Sequence, residues 1–210
     1  MNTRSIPAPK MVSELVKSDV AGSAVNTSLP LTHPAWYQQE GGLAVDATRD
    51  DLTLTLIPSE WKWCIDVANL RMFASAERGL DHASTYERSY LERISQDIAG
   101  ACAELIVARF LGFYWTPSVN TFHDIPDIAP DIEVRHTVRM NGRLPVRKND
   151  QDDRWYFLVI GEPPTMTIAG FIKGVNAKRD EWLDNPNGYR PAWFVPQDAL
   201  LQPKRRDAPA

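Results

Sequence analysis

Pro126-Asp127-Ile128-Ala129-Pro130-Asp131-Ile132-Glu133-Val134-Arg135 is the stretch at which the chain changes from helical to strand-like texture. Read as a hairpin, it has Ala129–Asp131 as its loop, Pro130 at the centre, and Ile128 facing Ile132. Asp127 then lies across from Glu133, and directly opposed residues bring their Cβ atoms to about 4.5–5.5 Å. Strand side chains alternate between faces, so Arg135 shares the face of Glu133. Two opposed carboxylates repel each other. A hard divalent cation reverses that sign, because Mg²⁺ takes oxygen ligands and keeps several waters. A solvated turn accounts for the same acids without any chemistry, since Asp is common in turns.

Downstream, short β-like runs follow at Asp131–Val138, Leu144–Arg147, Trp155–Ile160, Met166–Phe171 and Trp193–Val195. Turn signals separate them: Asn141-Gly142, the run Asn149–Asp153, Gly161–Pro164 and Asn185–Gly188. Lys178–Leu183 reads as one or two helical turns. Upstream, Leu52–Ile57 alternates Leu with Thr as a half-buried strand does. Pro58-Ser59-Glu60 marks a helix start with Ser59 as its cap, and Trp61, Ile65, Ala68 and Met72 recur at helical spacing up to an end near Gly79. A second helical region runs from about Thr85 to Leu111, with a break expected near Gly100 and Gly112 as its stop. Helices first and strands afterwards argue for an α+β fold, a small central mixed sheet packed against N-terminal helices.

The chain has 210 residues, 43% hydrophobic and 24% charged, with 27 acidic against 23 basic side chains and a net charge of −4. That length suits one domain with a core of its own. Residues 1–50, rich in Pro, Ser, Thr and Asn, read as a flexible N-terminal arm, 51–202 as the single folded domain, and 203–210 as a disordered tail. No apolar run nears the ~20 residues of a membrane-spanning helix, and no apolar segment follows Arg4 and Lys10 as in a secretory signal. Cys64 and Cys102 stand far apart without a CxxC or Cys/His cluster, so a reducing, cytoplasmic setting is expected. The mild acidity gives no global nucleic-acid signature, so any such binding rests on a local patch.

Inside the apolar segment Ile98–Leu111 the only charges are Glu104 and Arg109. A helix apolar on all sides is buried, and a buried carboxylate needs an ion pair, hydrogen bonds or a cation. Glu104 is therefore either paired with an arginine such as Arg71 or Arg109, or part of a site. Arg139, Arg143, Arg147 and Lys148 cluster within a short span after the acidic stretch, and spread over one hairpin they line a groove for a phosphate backbone. The same four also read as an ordinary solvated hairpin. His123 and His136 flank the acids, with a surface or hydrogen-bonded role as their simpler reading. The seven tryptophans are core or rim residues before they are base-stacking platforms. A P-loop and a GxSxG elbow are both missing.

A helical Glu, a strand Asp and then Glu-x-Arg resembles the PD-(D/E)xK nuclease superfamily, in the branch of uncharacterised phage and prophage proteins. The matching positions are Glu104, Asp127 in Pro126-Asp127, and Glu133-Val134-Arg135. The wider similarity takes in Leu144–Arg147, Asp150–Asp153, Phe157–Ile160, Gly170–Ile172 and Arg190–Pro196, so it spans about 52–201. The resemblance implies a restriction-endonuclease-like core and metal-dependent phosphodiester hydrolysis. Asp127, Glu133 and the Val134 carbonyl would hold Mg²⁺ or Mn²⁺, with Glu104 on a water or a second ion. Arg135 stands where the pattern has Lys, and Asp131 competes with Asp127. Arginine offsets charge on a phosphate but is a poor proton acceptor, so water activation falls to the metal, Lys148 or Lys173.

The partner implied is nucleic acid, DNA ahead of RNA, with no membrane. A homo-oligomer or a phage or host protein held through the N-terminal arm is the further expectation. The alternative is a catalytically inactive nuclease-fold protein that acts in nucleic-acid binding, in a virion or on a host protein.

Overall fold

A computed structural model describes residues 52–77, 89–119, 125–186, 188 and 190–203. The expected arm at 1–50, the end of the first helix near Gly79, His123 and residues 204–210 lie outside the described residues, while Pro203 is buried.

Strand β1 (Thr53–Thr55) leads into α1 (Pro58–Glu77), and α2 spans Tyr90–Leu111. Pro58, not Ser59, opens α1: its missing N–H falls where a helix has no partner for one, and the Glu60 carboxylate accepts from the Ile57 N–H at 3.0 Å. Ser89 caps α2 through a reciprocal box with Glu92. Gly112 ends it in the left-handed conformation (φ 69°). Gly100 does not break α2. The helix continues through it, buried almost without interruption from Ala99 to Leu111.

After α2 come β2 (Ile132–Thr137), β3 (Leu144–Arg147), β4 (Trp155–Glu162), β5 (Thr165–Lys173), a single turn α3 (Gly174–Ala177), β6 (Leu183–Asp184) and β7 (Ala192–Val195). They build two sheets. One has the order β1-β5-β4-β2, antiparallel except that β2 runs parallel to β4; the other has the order β3-β7-β6. The fold is α+β, as the order of elements implied. The hairpin expected across Asn141-Gly142 does not form, because β2 and β3 join different sheets and β3 pairs with β7.

Alternation along β4 sets the layers. Trp155, Phe157 and Val159 face α1 and α2, with Ile132 and Val134 of β2 beside them. Tyr156, Leu158 and Ile160 face the second sheet, packing on Leu144, Val146 and Val195. Parallel register pairs Glu133 with Tyr156 and Arg135 with Leu158, so both charged residues of β2 point to the second-sheet side. β1 closes the far edge, where Thr53 and Thr55 hydrogen-bond across to Thr167 and Thr165. No helix of the described residues is long and apolar enough to cross a membrane.

Candidate active site at the β2 edge

The turn before β2 holds Ile128 against Ile132 through reciprocal backbone hydrogen bonds of 3.0 Å. The ladder stops there. Asp127 does not continue it opposite Glu133; its carboxylate accepts the Val134 N–H at 2.8 Å, closing an otherwise open donor on the sheet edge. Asp131 turns the other way, 3.6 Å from Lys173, which also lies over the Trp155 ring. Asp127 is thus the aspartate on the side of Glu133.

Arg135 threads between the acids. Its Nη1 lies 3.1 Å from Glu133 Oε2, 3.2 Å from the Val134 carbonyl oxygen and 3.9 Å from Asp127 Oδ2. Its Nη2 donates to Asp150 Oδ2 at 3.1 Å, and the Arg147 N–H donates to the same oxygen at 2.9 Å. Arg154, immediately before β4, pairs with the other oxygen of Glu133. Burial works against the charge of Arg135, but Asp150, Glu133 and Asp127 together outweigh it and hold the guanidinium above its ordinary pKa.

Glu104 stands behind this group on α2 and is fully engaged. Arg71 of α1 grips it bidentately, with both N–O distances 2.8 Å, and Trp115 Nε1 donates to it at 3.2 Å. Arg71 Nε also donates to the Ser118 carbonyl oxygen at 2.8 Å. Arg109, the other partner considered, goes to Glu60 and the Thr55 carbonyl oxygen. Burial, then the charges of Glu104 and Glu133, push the Asp127 pKa up to about 7, against the pull of the Val134 N–H and Arg135. Four acids, Glu104, Asp127, Glu133 and Asp150, and three arginines, Arg71, Arg135 and Arg154, therefore form one group. Among the described residues no three His, Cys, Asp or Glu side chains gather as they would round an ion. Of the expected metal set, Glu104 lies on Arg71, while Glu133 Oε2, the Val134 carbonyl oxygen and Asp127 Oδ2 all lie within 3.9 Å of Arg135 Nη1.

The four basic candidates are all exposed. Arg143 pairs with Asp184 at 2.8 Å and lies over Phe194, and Arg139 and Lys148 sit in turns. The Lys173 ammonium is taken by Asp131. His136 sits half-buried with Nε2 2.8 Å from the Gly161 carbonyl oxygen, and burial lowers its pKa. Trp115 and Trp155 are core residues, whereas Trp61 and Trp63 are partly exposed.

Sequence reasoning missed Arg154 and Asp150 as members of the group. Asp150 lay in a run of acids that reads as a solvated turn, and Arg154 reads as a loop cation. A parallel β2–β4 pairing, with Trp155 beside Ile132, would have pointed to Arg154. No family model, no curated protein and no solved structure matches the chain.

Proposed function

We propose that this chain is a metal-dependent nuclease of the PD-(D/E)xK kind, with a restriction-endonuclease-like core, acting on nucleic acid in a host cytoplasm. The observation that carries the reading is the position of Arg135 Nη1. It touches, or nearly touches, the three oxygens that the resemblance assigns to the metal: Glu133 Oε2, the Val134 carbonyl oxygen and Asp127 Oδ2. A cation already stands among them, and the donors are hard oxygens of the type that Mg²⁺ and Mn²⁺ select. The Asp127 side chain is 23% exposed, so an ion from solvent reaches it. Two carboxylates and one carbonyl oxygen are donors that such an ion would use, which supports the reading.

A bound Mg²⁺ or Mn²⁺ would lower the pKa of water and polarise a phosphoryl oxygen. The chain's own residues do the rest. Asp150 holds Nη2 of Arg135 and so fixes the plane of the guanidinium, with Nη1 at the acids, where its charge would offset the charge that builds on a phosphate. Arg154 neutralises the outer oxygen of Glu133 and fixes its orientation. Arg71 and Trp115 lock Glu104, whose negative charge raises the cation affinity of neighbouring Asp127. Two buried free thiols, Cys64 and Cys102, suit a reducing compartment.

One observation favours the second reading, a nuclease fold that binds without cutting. Arginine stays protonated, and here three carboxylates, Glu104, Glu133 and Asp150, are already balanced by Arg71, Arg135 and Arg154. Incubation of plasmid, single-stranded DNA and RNA with Mg²⁺ and with Mn²⁺ separates the two. Cleavage that EDTA abolishes is expected. Glu133→Ala and Asp127→Asn should slow it by more than about a hundredfold, beyond the loss typical of outer-shell partners. Cleavage that survives Glu133→Ala rejects the site, and no cleavage of any substrate with either ion leaves the binding reading.

A further inference from the structure

Leu144 and Val146 of β3 are buried against the four-stranded sheet, so Pro145 and Arg147 point the opposite way, out of the second sheet. Arg147 is the register partner of Ala192, and Arg190 lies two residues before Ala192 on the same strand path. Arg190 thus enters β7 beside the end of β3 that carries Arg147, and its charge acts on the Arg147 guanidinium. Asp150 ties this end to the β2 edge, because the oxygen that receives Arg135 Nη2 also receives the Arg147 N–H.

Three guanidinium groups, Arg135, Arg147 and Arg190, thus crowd one corner. Partial burial first, then the charges of Arg135 and Arg190, lower the pKa of Arg147, and Asp150 alone works the other way. Asp150 is already bonded to Arg135 and to the Arg147 backbone. Among the described residues no carboxylate lies within ion-pair distance of Arg147 or Arg190. The contrast lies on the same face: Arg143 has Asp184. Like charges held together without a counter-charge are unfavourable unless an anion completes them. A planar guanidinium pair matches the tetrahedral oxygens of phosphate through charged, bidentate hydrogen bonds.

We infer that Arg147 and Arg190 form a clamp for one backbone phosphate of a nucleic acid, seated beside Arg135 at the mouth of the β2 edge. The inference rests on nucleic acid being the partner in the reading above, but not on hydrolysis. The clamp fixes the strand, and the neighbouring phosphodiester then faces Arg135 and the oxygens of Asp127 and Glu133.

The test is binding without metal. Fluorescence anisotropy with a labelled DNA strand and its duplex, in EDTA over a range of salt, is read for the full chain, for Arg147→Gln, for Arg147→Gln/Arg190→Gln and for Lys62→Gln. Lys62 lies on α1, paired with Asp66, and removes the same single charge as Arg147→Gln at a site away from the corner. The double variant should bind about tenfold more weakly or worse. Its log–log salt slope should be smaller by about one, the signature of one lost phosphate contact. Lys62→Gln should bind as the parent does. Loss of binding in a double variant whose unfolding midpoint is unchanged supports the clamp, whether or not the chain cuts DNA. Unchanged binding in the double variant or an equal loss in Lys62→Gln overturns the clamp alone, whereas no binding by the parent overturns it together with the nucleic-acid partner on which it rests; EDTA-sensitive cleavage is read separately and tells the two failures apart.

Discussion

The β2 edge and the outer face of the second sheet both carry arginines, under opposite conditions. At the β2 edge Arg71, Arg135 and Arg154 each grip a carboxylate in partly or wholly buried surroundings. On the outer face Arg147 and Arg190 are exposed, with no carboxylate of the described residues within ion-pair distance, whereas Arg143 is paired with Asp184. A buried acid must be matched for the chain to fold at all, so its arginine partner is accounted for by stability. An exposed arginine that repels its neighbours is not needed by the fold. The second region is therefore where a ligand explains what packing does not, and the first is where structure and chemistry are entangled.

The sharpest way to break this contrast is to remove a partner from the buried side. Arg71→Ala leaves Glu104 with only the Trp115 N–H and strands a charge between α2 and the sheet. Loss of one member of a buried pair costs about 3–5 kcal/mol, which urea or thermal unfolding would read directly. Replacing both members by apolar residues, Arg71→Met with Glu104→Leu, should recover much of that stability. If Arg71→Ala unfolds at the same midpoint as the parent, the pair is not the structural element described here.

The next effect is smaller and depends on pH. Burial, Glu104 and Glu133 raise the folded pKa of Asp127 from 3.8 to about 7. Between those values the unfolded chain has released the proton and the folded chain still holds it. Stability therefore falls as pH rises through this window, is unaffected by this group below it, and carries the full penalty above about pH 7. The contribution is about 1.4 kcal/mol per pH unit. Asp127→Asn keeps an oxygen for the Val134 N–H and loses the titration. In EDTA, the stability difference between variant and parent should shift in favour of the variant from pH 4 to pH 7. A difference that stays flat across that range contradicts the coupling of Asp127 to Glu104 and Glu133.

Much of this fold was legible in the residues, and the failures have physical causes. The Leu/Thr alternation at 52–57, the apolar run before Gly112 and the short runs after it located most elements, because burial periodicity is local information. Local information also misled. Asn141-Gly142 reads as a tight hairpin, yet the strands on either side join separate sheets, and only long-range pairing of β2 with β4 and of β3 with β7 decides that. The Ile128–Ile132 contact followed from the proline turn, but the fate of Asp127 did not. Its side chain was free either to face Glu133 or to take the edge N–H of Val134, and it takes the N–H. The need of Glu104 for a partner was evident from its apolar helix. Choosing Arg71 over Arg109 required knowing which face of α1 meets α2. Arg154 and Asp150 were invisible as members of the group because turns flanking strands are normally solvated.

The smallest effect compares two arginines on the same face. Arg143 and Asp184 are both well exposed, and an ion pair in water contributes little to folding, so Arg143→Gln should leave the unfolding midpoint where it is. What should move is Asp184 itself. Its carboxyl is held below the usual aspartate range first by the hydrogen bond from Arg143 and then by the Asn185 N–H. Carboxyl-detected NMR titration should show it rising in Arg143→Gln without reaching the ordinary value, because the Asn185 bond remains. In the anisotropy assay the same variant should weaken DNA binding less than Arg190→Gln does. A phosphate approaching Arg143 must compete with Asp184, whereas among the described residues no carboxylate pairs with Arg190. Equal losses from the two substitutions would mean that the face attracts nucleic acid only by its summed charge, and the distinction between paired and unpaired arginines would carry no specificity.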